Sequence, residues 1–229
     1  MKLIDYFSFD CIEIEKDKKT IIKRYQQELT TGISKGYIPV VIIDDDKGIM
    51  EQNIKIVIED FGSLDNYRHY IISKYNNVNI NDFFEDRKKY YEDEDKLEQL
   101  VADNIYKKTN DIVIEDYAKN IYIALVPTLK PEEIFAYIPF GGFNECSEGI
   151  IHAAITHYWY SKYKAIPICI SYDSLQFMLR DSVLDSEELE QIAIEQYLYC
   201  GDLIWQGLET LSNLKSYICG SNFWYFWWE

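Results

Sequence analysis

The chain has 229 residues, of which 39 are acidic and 23 basic, so its formal net charge is −16. Hydrophobic residues make up 48% of the chain, which is enough to fill a core and excludes an intrinsically disordered protein. A protein that binds the nucleic-acid backbone needs a basic surface, so the acidic balance argues against nucleic acid as a partner. A basic protein is the partner that this charge favours.

The sequence predicts a cytoplasmic protein with no membrane segment. It contains no run of about 18 to 20 apolar residues, the length that a membrane span requires. Asp5 and Asp10 interrupt the apolar segment that a signal peptide would need. The cysteines are odd in number and form no CxxC pair, which indicates free thiols in a reducing compartment. They are Cys11, Cys146, Cys169, Cys200 and Cys219.

Charged residues become rarer along the chain, which favours a division near residue 120. Residues 1–139 carry 27 acids and 19 bases, whereas residues 140–229 carry 12 acids and 4 bases. We therefore expect an N-terminal α/β part over residues 1–120, helical and charged, and a C-terminal core over residues 121–229.

Apolar periodicity predicts five elements in the N-terminal part. They are a helix over residues 18–34, a buried strand over 37–43, a strand over 54–58, and helices over 64–75 and 82–101. The first helix ends near Gly36. The second strand is predicted from the alternation IKIVI, and the last helix, with its charged run EDEDK, is predicted to be a solvated arm.

The C-terminal part has a clearer pattern. It predicts a strand over residues 121–126, a tight loop at 141–142, a helix over 147–163, strands over 166–172 and 175–179, helices over 185–199 and 208–219, and a strand over 223–228. Ser147 is the expected cap of the first of these helices. Aromatic residues occupy both alternating sets of the last strand, which predicts a central strand covered on both faces. The fold class is therefore α/β, a sandwich of a mixed sheet flanked by helices.

Several segments of the C-terminal part carry recognisable motifs. They cover residues 140–146 (FGGFNEC), 152–159 (HAAITHYW), 195–202 (EQYLYCGD), 206–207 (QG) and 223–229 (FWYFWWE). Together they resemble the bacterial family of domain of unknown function 4253, over roughly residues 121–229. Ser147 and Gly201 stand where that family usually has proline. In size and bacterial setting its members resemble small proteins encoded near secreted polymorphic toxins, so the resemblance implies an immunity protein.

Cys146 is the candidate nucleophile if the protein is an enzyme. It lies just before a predicted helix, whose dipole lowers a thiol pKa, and His152 is the candidate base. His157 lies about 140° around the helix from His152, so the two histidines cannot form one joint site. No orienting Asn or Asp is evident, and a structural cysteine is the favoured interpretation. Glu195 completes the candidate catalytic set.

No metal ion or cofactor is expected. The chain has three histidines, no HExxH motif and no paired cysteines, and its Gly-Gly pair lacks the spacing of a phosphate-binding loop. Gln196 falls on the inner face of its helix, where a buried amide needs partners. The favoured interpretation is a core network with the Asn144 loop or the last strand, and the alternative is a pocket wall.

An acidic run is the strongest functional signal. Residues 181–214 contain no lysine or arginine and eight acids, namely Asp181, Asp185, Glu187, Glu188, Glu190, Glu195, Asp202 and Glu209. Such a surface would steer a basic partner and raise its association rate. The expected aromatic anchors of the interface are Tyr172, Tyr197, Tyr199 and Trp205.

These observations favour an immunity protein that neutralises a cognate basic toxin domain by stoichiometric binding. The candidate binding residues are Asn144, Glu145, Asp185, Glu187, Glu188, Glu190, Tyr197, Asp202, Trp205 and Gln206. The main alternative is an enzyme or small-ligand-binding protein that uses the loop over residues 144–146 with Glu195 and Asp202. An adaptor without a toxin partner is a third possibility.

Overall fold

A computed structural model describes residues 2–92, 111–114 and 116–229. Six strands form one sheet: β1 (Cys11–Ile14), β2 (Ile38–Asp45), β3 (Ala118–Val126), β4 (Ile166–Ile170), β5 (Ser174–Met178) and β6 (Phe223–Trp227). The helices around it are α1 (Lys18–Lys35), α2 (Ile49–Phe61), α3 (Leu64–Lys74), α4 (Ile80–Glu92), α5 (Ile134–Tyr137), α6 (Gly149–Tyr163), α7 (Ser186–Tyr199) and α8 (Leu211–Ile218). The predicted class, α/β with helices flanking a mixed sheet, is confirmed.

The sheet is continuous across the predicted division at residue 120. Its strand order is β1-β3-β2-β4-β5-β6, so β2 of the N-terminal part lies between β3 and β4. β2 pairs antiparallel with β3 and parallel with β4, where Val41 lies opposite Ile123 on one side and Cys169 on the other. The N-terminal part therefore contributes β1 and β2 to the same sheet as the C-terminal part, and the two parts share one sheet.

The two faces of the sheet have different cores. The larger core contains Val40 and Ile42 from β2 together with Trp159, Phe226 and Trp228. The smaller core lies on the face that packs against α1 and contains Val41, Ile43, Ile21 and Tyr25. All eight residues of β2 are buried, which explains why its apolar sequence does not alternate.

Local sequence signals account for the helices that were predicted well. α1 ends at Gly36, whose φ of 80° is the left-handed conformation that glycine adopts without strain. α7 begins after Asp185, whose carboxylate accepts hydrogen bonds from the amides of Glu187 and Glu188 at 3.0 Å. α3 has the predicted start at Leu64.

The strand predicted over residues 54–58 is wrong, because these residues lie in α2. Ile54 is buried and Val57, Ile58 and Phe61 pack against the same core, which is the spacing of one helical face. Asp45, at the end of β2, accepts hydrogen bonds from the amides of Ile49 and Met50 at 2.9 Å and so starts the helix.

Three other boundaries also differ from the predictions. Ser147 does not cap α6, which follows Glu148 without a side-chain cap. The helix predicted over 208–219 begins at Leu211, after a π-helical turn over Leu203–Leu208. α4 covers the first part of the helix predicted over 82–101, and residues 93–101 lie outside the described residues.

β6 is an edge strand and not the predicted central one. Trp224, Phe226 and Trp228 on one side are buried, whereas Tyr225 on the other is half-buried. The segment over residues 111–114 shields that second face, where the Gln176 side chain of β5 exchanges two hydrogen bonds of 2.9 Å with the Val113 backbone. An edge strand with a covering segment thus has the same aromatic pattern as a central strand.

Candidate functional site

The loop over residues 140–146 owes its shape to two glycines. Gly141 and Gly142 have φ of 89° and 80°, a region that side chains disfavour. The Gly142 amide donates to the Ser147 carbonyl at 2.9 Å. A side chain at Gly141 would collide with that carbonyl and with the His152 ring. The loop therefore holds Cys146 against the first turns of α6.

Cys146, His152 and Tyr199 form a buried polar row. The Cys146 Sγ lies 3.5 Å from His152 Nε2, and His152 Nδ1 lies 2.6 Å from the Tyr199 hydroxyl. Burial lowers the pKa of His152 to about 3 and raises the pKa of Cys146 well above its ordinary value. The pair is therefore a neutral thiol beside a neutral imidazole, the opposite of the charged pair that a nucleophilic cysteine requires.

The candidate residues Asn144, Asp202 and Gln206 converge on residues 227–229. The Asn144 amide donates to the Glu229 carbonyl oxygen, and the Asp202 carboxylate accepts from the Glu229 amide at 3.1 Å. Gln206 Nε2 donates to the Glu229 carboxylate at 2.9 Å. The motifs that resembled a binding site thus hold the C-terminal segment in place.

Trp228 completes this arrangement from inside the core. Its ring packs against Phe140, His152 and Tyr199 with centroid separations of 5.7, 5.8 and 5.4 Å. The Cys200 thiol donates to the Trp227 carbonyl at 3.1 Å. Loop, helix and last strand are therefore joined by rings and hydrogen bonds in one cluster.

Glu195 belongs to a separate network. Its carboxylate is buried and surrounded by four donors, namely Tyr158 Oη at 2.7 Å, Trp159 Nε1 at 3.0 Å, Gln191 Nε2 at 3.1 Å and Lys162 Nζ at 3.3 Å. None of these donors is Cys146 or His152. The structure therefore brings together two members of the predicted catalytic set and leaves Glu195 apart from them.

The acidic run divides between the surface and the interior. Six of its acids are exposed, namely Asp181, Asp185, Glu187, Glu188, Glu190 and Glu209. Glu195 and Asp202 are buried. Bases that flank the run compensate part of it, because Lys215 pairs with Glu190 and Arg180 lies 4.0 Å from Asp181.

The predicted aromatic anchors lie mostly inside the protein. Tyr197 and Tyr199 are 1% and 0% exposed, so they offer no surface to a partner. Trp205 is half-buried and packs edge-on against Tyr91 at 4.7 Å. Tyr172, also half-buried, is the remaining candidate with some accessible ring.

Two further side chains differ from expectation. Glu145 is not a free surface acid, because its carboxylate accepts from Arg87 Nη1 of α4 at 2.7 Å. Gln196 is buried, and its Nε2 has no hydrogen-bond partner within the described ranges, so this donor takes no part in the predicted core network.

Two cavities flank the 140–146 loop, and both involve α2. One, of about 370 Å³, lies between the loop and α2 and α3. The other, of about 330 Å³, includes Asn53, Asn144, Tyr172, Asp173 and Trp227 in its wall. It lies at the edge of the sheet where β4 and β6 both end, on either side of the start of β5. Open α/β sheets bind ligands at the carboxyl ends of their strands. The sequence predicts neither cavity. Both are lined by residues of α2, and the sequence predicts a strand over residues 54–58 in place of that helix.

The structure defines an α/β protein built on a single six-stranded mixed sheet. Residues 122–229, a little under half of the chain, match the family described as Domain of unknown function (DUF4253). No curated protein and no solved structure matches the chain. Within the described residues, no helix is long and apolar enough to cross a membrane, and no group of three or more His, Cys, Asp or Glu side chains could hold a metal ion.

Proposed function

We propose that the chain is a bacterial cytoplasmic immunity protein that binds a cognate basic toxin domain stoichiometrically and blocks its activity. The observation that carries the proposal is an acidic face at the start of α7. We define this face by Asp181, Asp185, Glu187 and Glu188, which are exposed around Leu184. Leu184, which is 72% exposed, offers a partner an apolar contact among these carboxylates.

Asp185, Glu187 and Glu188 of the acidic face differ from several other surface acids in having no base paired with them within the described residues. Several exposed or half-buried acids of the preceding elements lie beside a base three or four residues away, namely Glu28 with Arg24, Glu51 with Lys55, Asp65 with Arg68, Asp86 with Lys89 and Glu133 with Lys130. In the part of the chain that the structure describes, no ion pair joins Asp185, Glu187 or Glu188 to a base. Asp181 lies 4.0 Å from Arg180, so the uncompensated part of the face consists of Asp185, Glu187 and Glu188. Such a group of charges of one sign attracts a basic partner and raises the association rate.

Charge reversal tests this proposal. The double variant Glu187→Lys, Glu188→Lys should slow association with the proposed cognate toxin domain by about tenfold at low salt, because the steering field is reversed. The difference should shrink as salt is added. Surface plasmon resonance at two salt concentrations measures both effects. Glu190 is left unchanged, because its contact with Lys215 would be lost as well.

A matched control separates local from global charge. Asp82→Lys, Glu85→Lys changes the net charge by the same amount on the exposed side of α4. Its association rate should fall much less than that of the α7 variant. Equal slowing by both variants would assign the effect to net charge, and absence of any complex with the toxin domain would reject the immunity function.

The alternative, a small-ligand-binding protein or enzyme, is favoured by one observation. Asn144 lies in the wall of the 330 Å³ cavity at the carboxyl edge of the sheet, beside Tyr172 and Asp173. The other residues that this alternative needs are placed differently, since Cys146 and Asp202 are buried and Glu195 contacts a separate set of donors.

A further inference from the structure

We propose that the 370 Å³ cavity between α2, α3 and the Gly141-Gly142 loop is a binding site for an organic cation with an apolar stem, of the alkylammonium or alkylguanidinium class. The site is independent of the acidic face of α7, because it is built from other elements. Its volume lies at the lower end of the range of about 300–1,000 Å³ that is typical of ligand pockets.

Aromatic rings form two sides of this cavity. On the helical side, the Phe61 ring lies 5.2 Å from the rings of both Tyr67 and Tyr70. On the loop side, Phe140 and Phe143 meet edge to face at 6.1 Å. Ring faces carry partial negative charge and attract ammonium and guanidinium groups, so a cavity with several rings favours a cation over an anion.

Carboxylates add charge of the same sign. Asp60 and Glu148 line the cavity, and its lining contains no lysine, arginine or histidine. Neither carboxylate makes an ion pair with any residue that the structure describes. Glu148 and Tyr67 line the same cavity, and the Tyr67 hydroxyl lies against Gly149, the residue after Glu148. Burial and the nearby charge of Glu148 raise the pKa of Tyr67.

The dipoles of two helices act on the site with opposite signs. Asp60 lies in the last turn of α2, whose carbonyl end is partly negative and favours a cation. Gly149 and Ile150, in the first turn of α6, present the positive end of that helix. Glu148, the residue before α6, offsets this positive end, so the carboxylates and the rings decide the sign of the ligand.

Exposed apolar side chains at the mouth of the cavity are the reason why the proposed ligand has an aliphatic stem. Ile56 and Tyr70 are 53% and 37% exposed, and both line the cavity. A ligand whose aliphatic chain covers these side chains would remove apolar surface from water, while its charged end reaches the rings and carboxylates. A hydrated metal ion would leave that surface exposed.

Isothermal titration calorimetry with n-butylguanidinium and n-butylammonium tests the site on the full chain. We expect saturable binding of one cation per chain, with 1-butanol and butyrate binding at least tenfold more weakly. Asp60→Asn and Glu148→Gln should each weaken the binding by about fivefold, the effect of losing one partly exposed ion pair. Glu59→Gln is the matched control, because Glu59 is exposed on the same helix and is not part of the lining.

A second measurement locates the ligand and identifies its source. Binding of the cation should shift the amide resonances of Gly141 and Gly142 in a ¹⁵N–¹H spectrum. A capped Gly-Arg-Gly peptide that binds as tightly as butylguanidinium, while its citrulline counterpart does not, would indicate a partner's side chain as the natural ligand. Exclusion of the peptide would indicate a free small molecule.

Three results would overturn the proposal. They are absence of binding at millimolar cation, equal affinity for 1-butanol or butyrate, and binding that neither Asp60→Asn nor Glu148→Gln weakens. Thermal unfolding of each variant shows that the fold is retained, so that a lost affinity reports on the site.

Discussion

The two halves of the sheet are stabilised in different ways. In the half formed by β1, β3 and β2, most core positions are aliphatic, with Tyr122 as a buried aromatic exception, and Val40, Val41, Ile42 and Ile43 are all 0% exposed. In the half formed by β4, β5 and β6, rings dominate. Trp159 alone packs against the rings of Phe177, Tyr199, Trp224 and Phe226.

Buried polar groups are concentrated in the aromatic half, although Asp44 and Asp45 at the end of β2 are buried as well. His152, Glu195 and Gln176 are each at most 1% exposed, and each has hydrogen-bond partners. The stability of an aliphatic core depends mainly on the volume of its side chains. The stability of a core of rings with buried polar atoms depends also on the relative orientation of those rings and on their hydrogen bonds. We therefore expect substitutions in the aromatic half to be tolerated much less than those in the aliphatic half.

Loss of the central tryptophan gives the largest expected effect. Trp159→Ala should lower the free energy of unfolding by about 3–5 kcal/mol, because a large buried ring is removed and a cavity is left. Ile42→Val in the aliphatic half should lower it by only about 0.5–1.5 kcal/mol. Urea denaturation monitored by circular dichroism measures both values. Similar losses for the two variants would contradict the proposed difference between the halves.

Loss of the Glu195 carboxylate, a buried hydrogen-bond acceptor, gives the second-largest expected effect. Glu195→Leu leaves the buried Trp159 N–H without its acceptor, which costs about 1–3 kcal/mol. The Tyr158 hydroxyl also loses this acceptor, but it is half-buried and adds less. Glu195→Gln retains an acceptor and should cost less. Glu187→Gln on the exposed side of α7 is the control and should stay within about 0.5 kcal/mol of the natural protein. If Glu195→Leu lowered the free energy of unfolding as little as Glu187→Gln does, the Glu195 network would not contribute to stability.

His152 makes stability depend on pH. Its pKa is lowered by burial to about 3 in the folded protein, below the ordinary value of 6.5. The unfolded chain therefore binds a proton more readily, so the contribution of His152 is complete above about pH 6.5 and decreases as the pH falls toward about 3. The slope for one such group is about 1.4 kcal/mol per pH unit.

A variant that lacks only His152 isolates this contribution. His152→Leu should flatten the stability curve between pH 6.5 and pH 5 relative to the natural protein, in addition to any constant loss from its missing hydrogen bonds. Chemical denaturation at several pH values gives the two slopes. Parallel curves would show that His152 is not the titrating group.

Thiol labelling gives the smallest effect and sharpens the interpretation of Cys146. Cys146 is buried with a raised pKa, so a thiol reagent should modify it only as the protein unfolds. Cys219 is half-exposed and should react first. Mass spectrometry of timed samples ranks the five thiols. Labelling of Cys146 ahead of Cys219 in the folded protein would restore it as a candidate nucleophile.

The sequence was most informative where one physical signal had one structural meaning. The unbroken run from Val40 to Ile43 can hardly be anything other than a buried strand. Asp185 followed by Glu187 and Glu188 marked the start of α7 through the capping hydrogen bonds and the dipole. The fold class followed from such elements without knowledge of their order in the sheet.

It was least informative where two structures share a pattern. IKIVI fits a strand, but Ile54, Val57 and Phe61 also fit one helical face. The hydrogen bonds that Asp45 accepts from the first amides of α2 decide between the two, and the sequence indicates Asp45 only as part of the acidic end of the preceding strand. The aromatic last strand fits a central position, but an edge covered by residues 111–114 gives the same burial. Contacts between distant segments, such as Asn144 with Glu229, have no signal in local periodicity.

The position of β2 has a consequence for the order of folding. During synthesis from the N-terminus, β1, β2 and β3 are complete before β4, which begins at Ile166. Until β4 arrives, one edge of β2 remains open, and this strand is buried along its whole length in the finished protein. An open apolar edge is a template for pairing with other chains, and long-range strand pairing is slow. By pairing with β2, β4 therefore also protects the emerging chain from self-association.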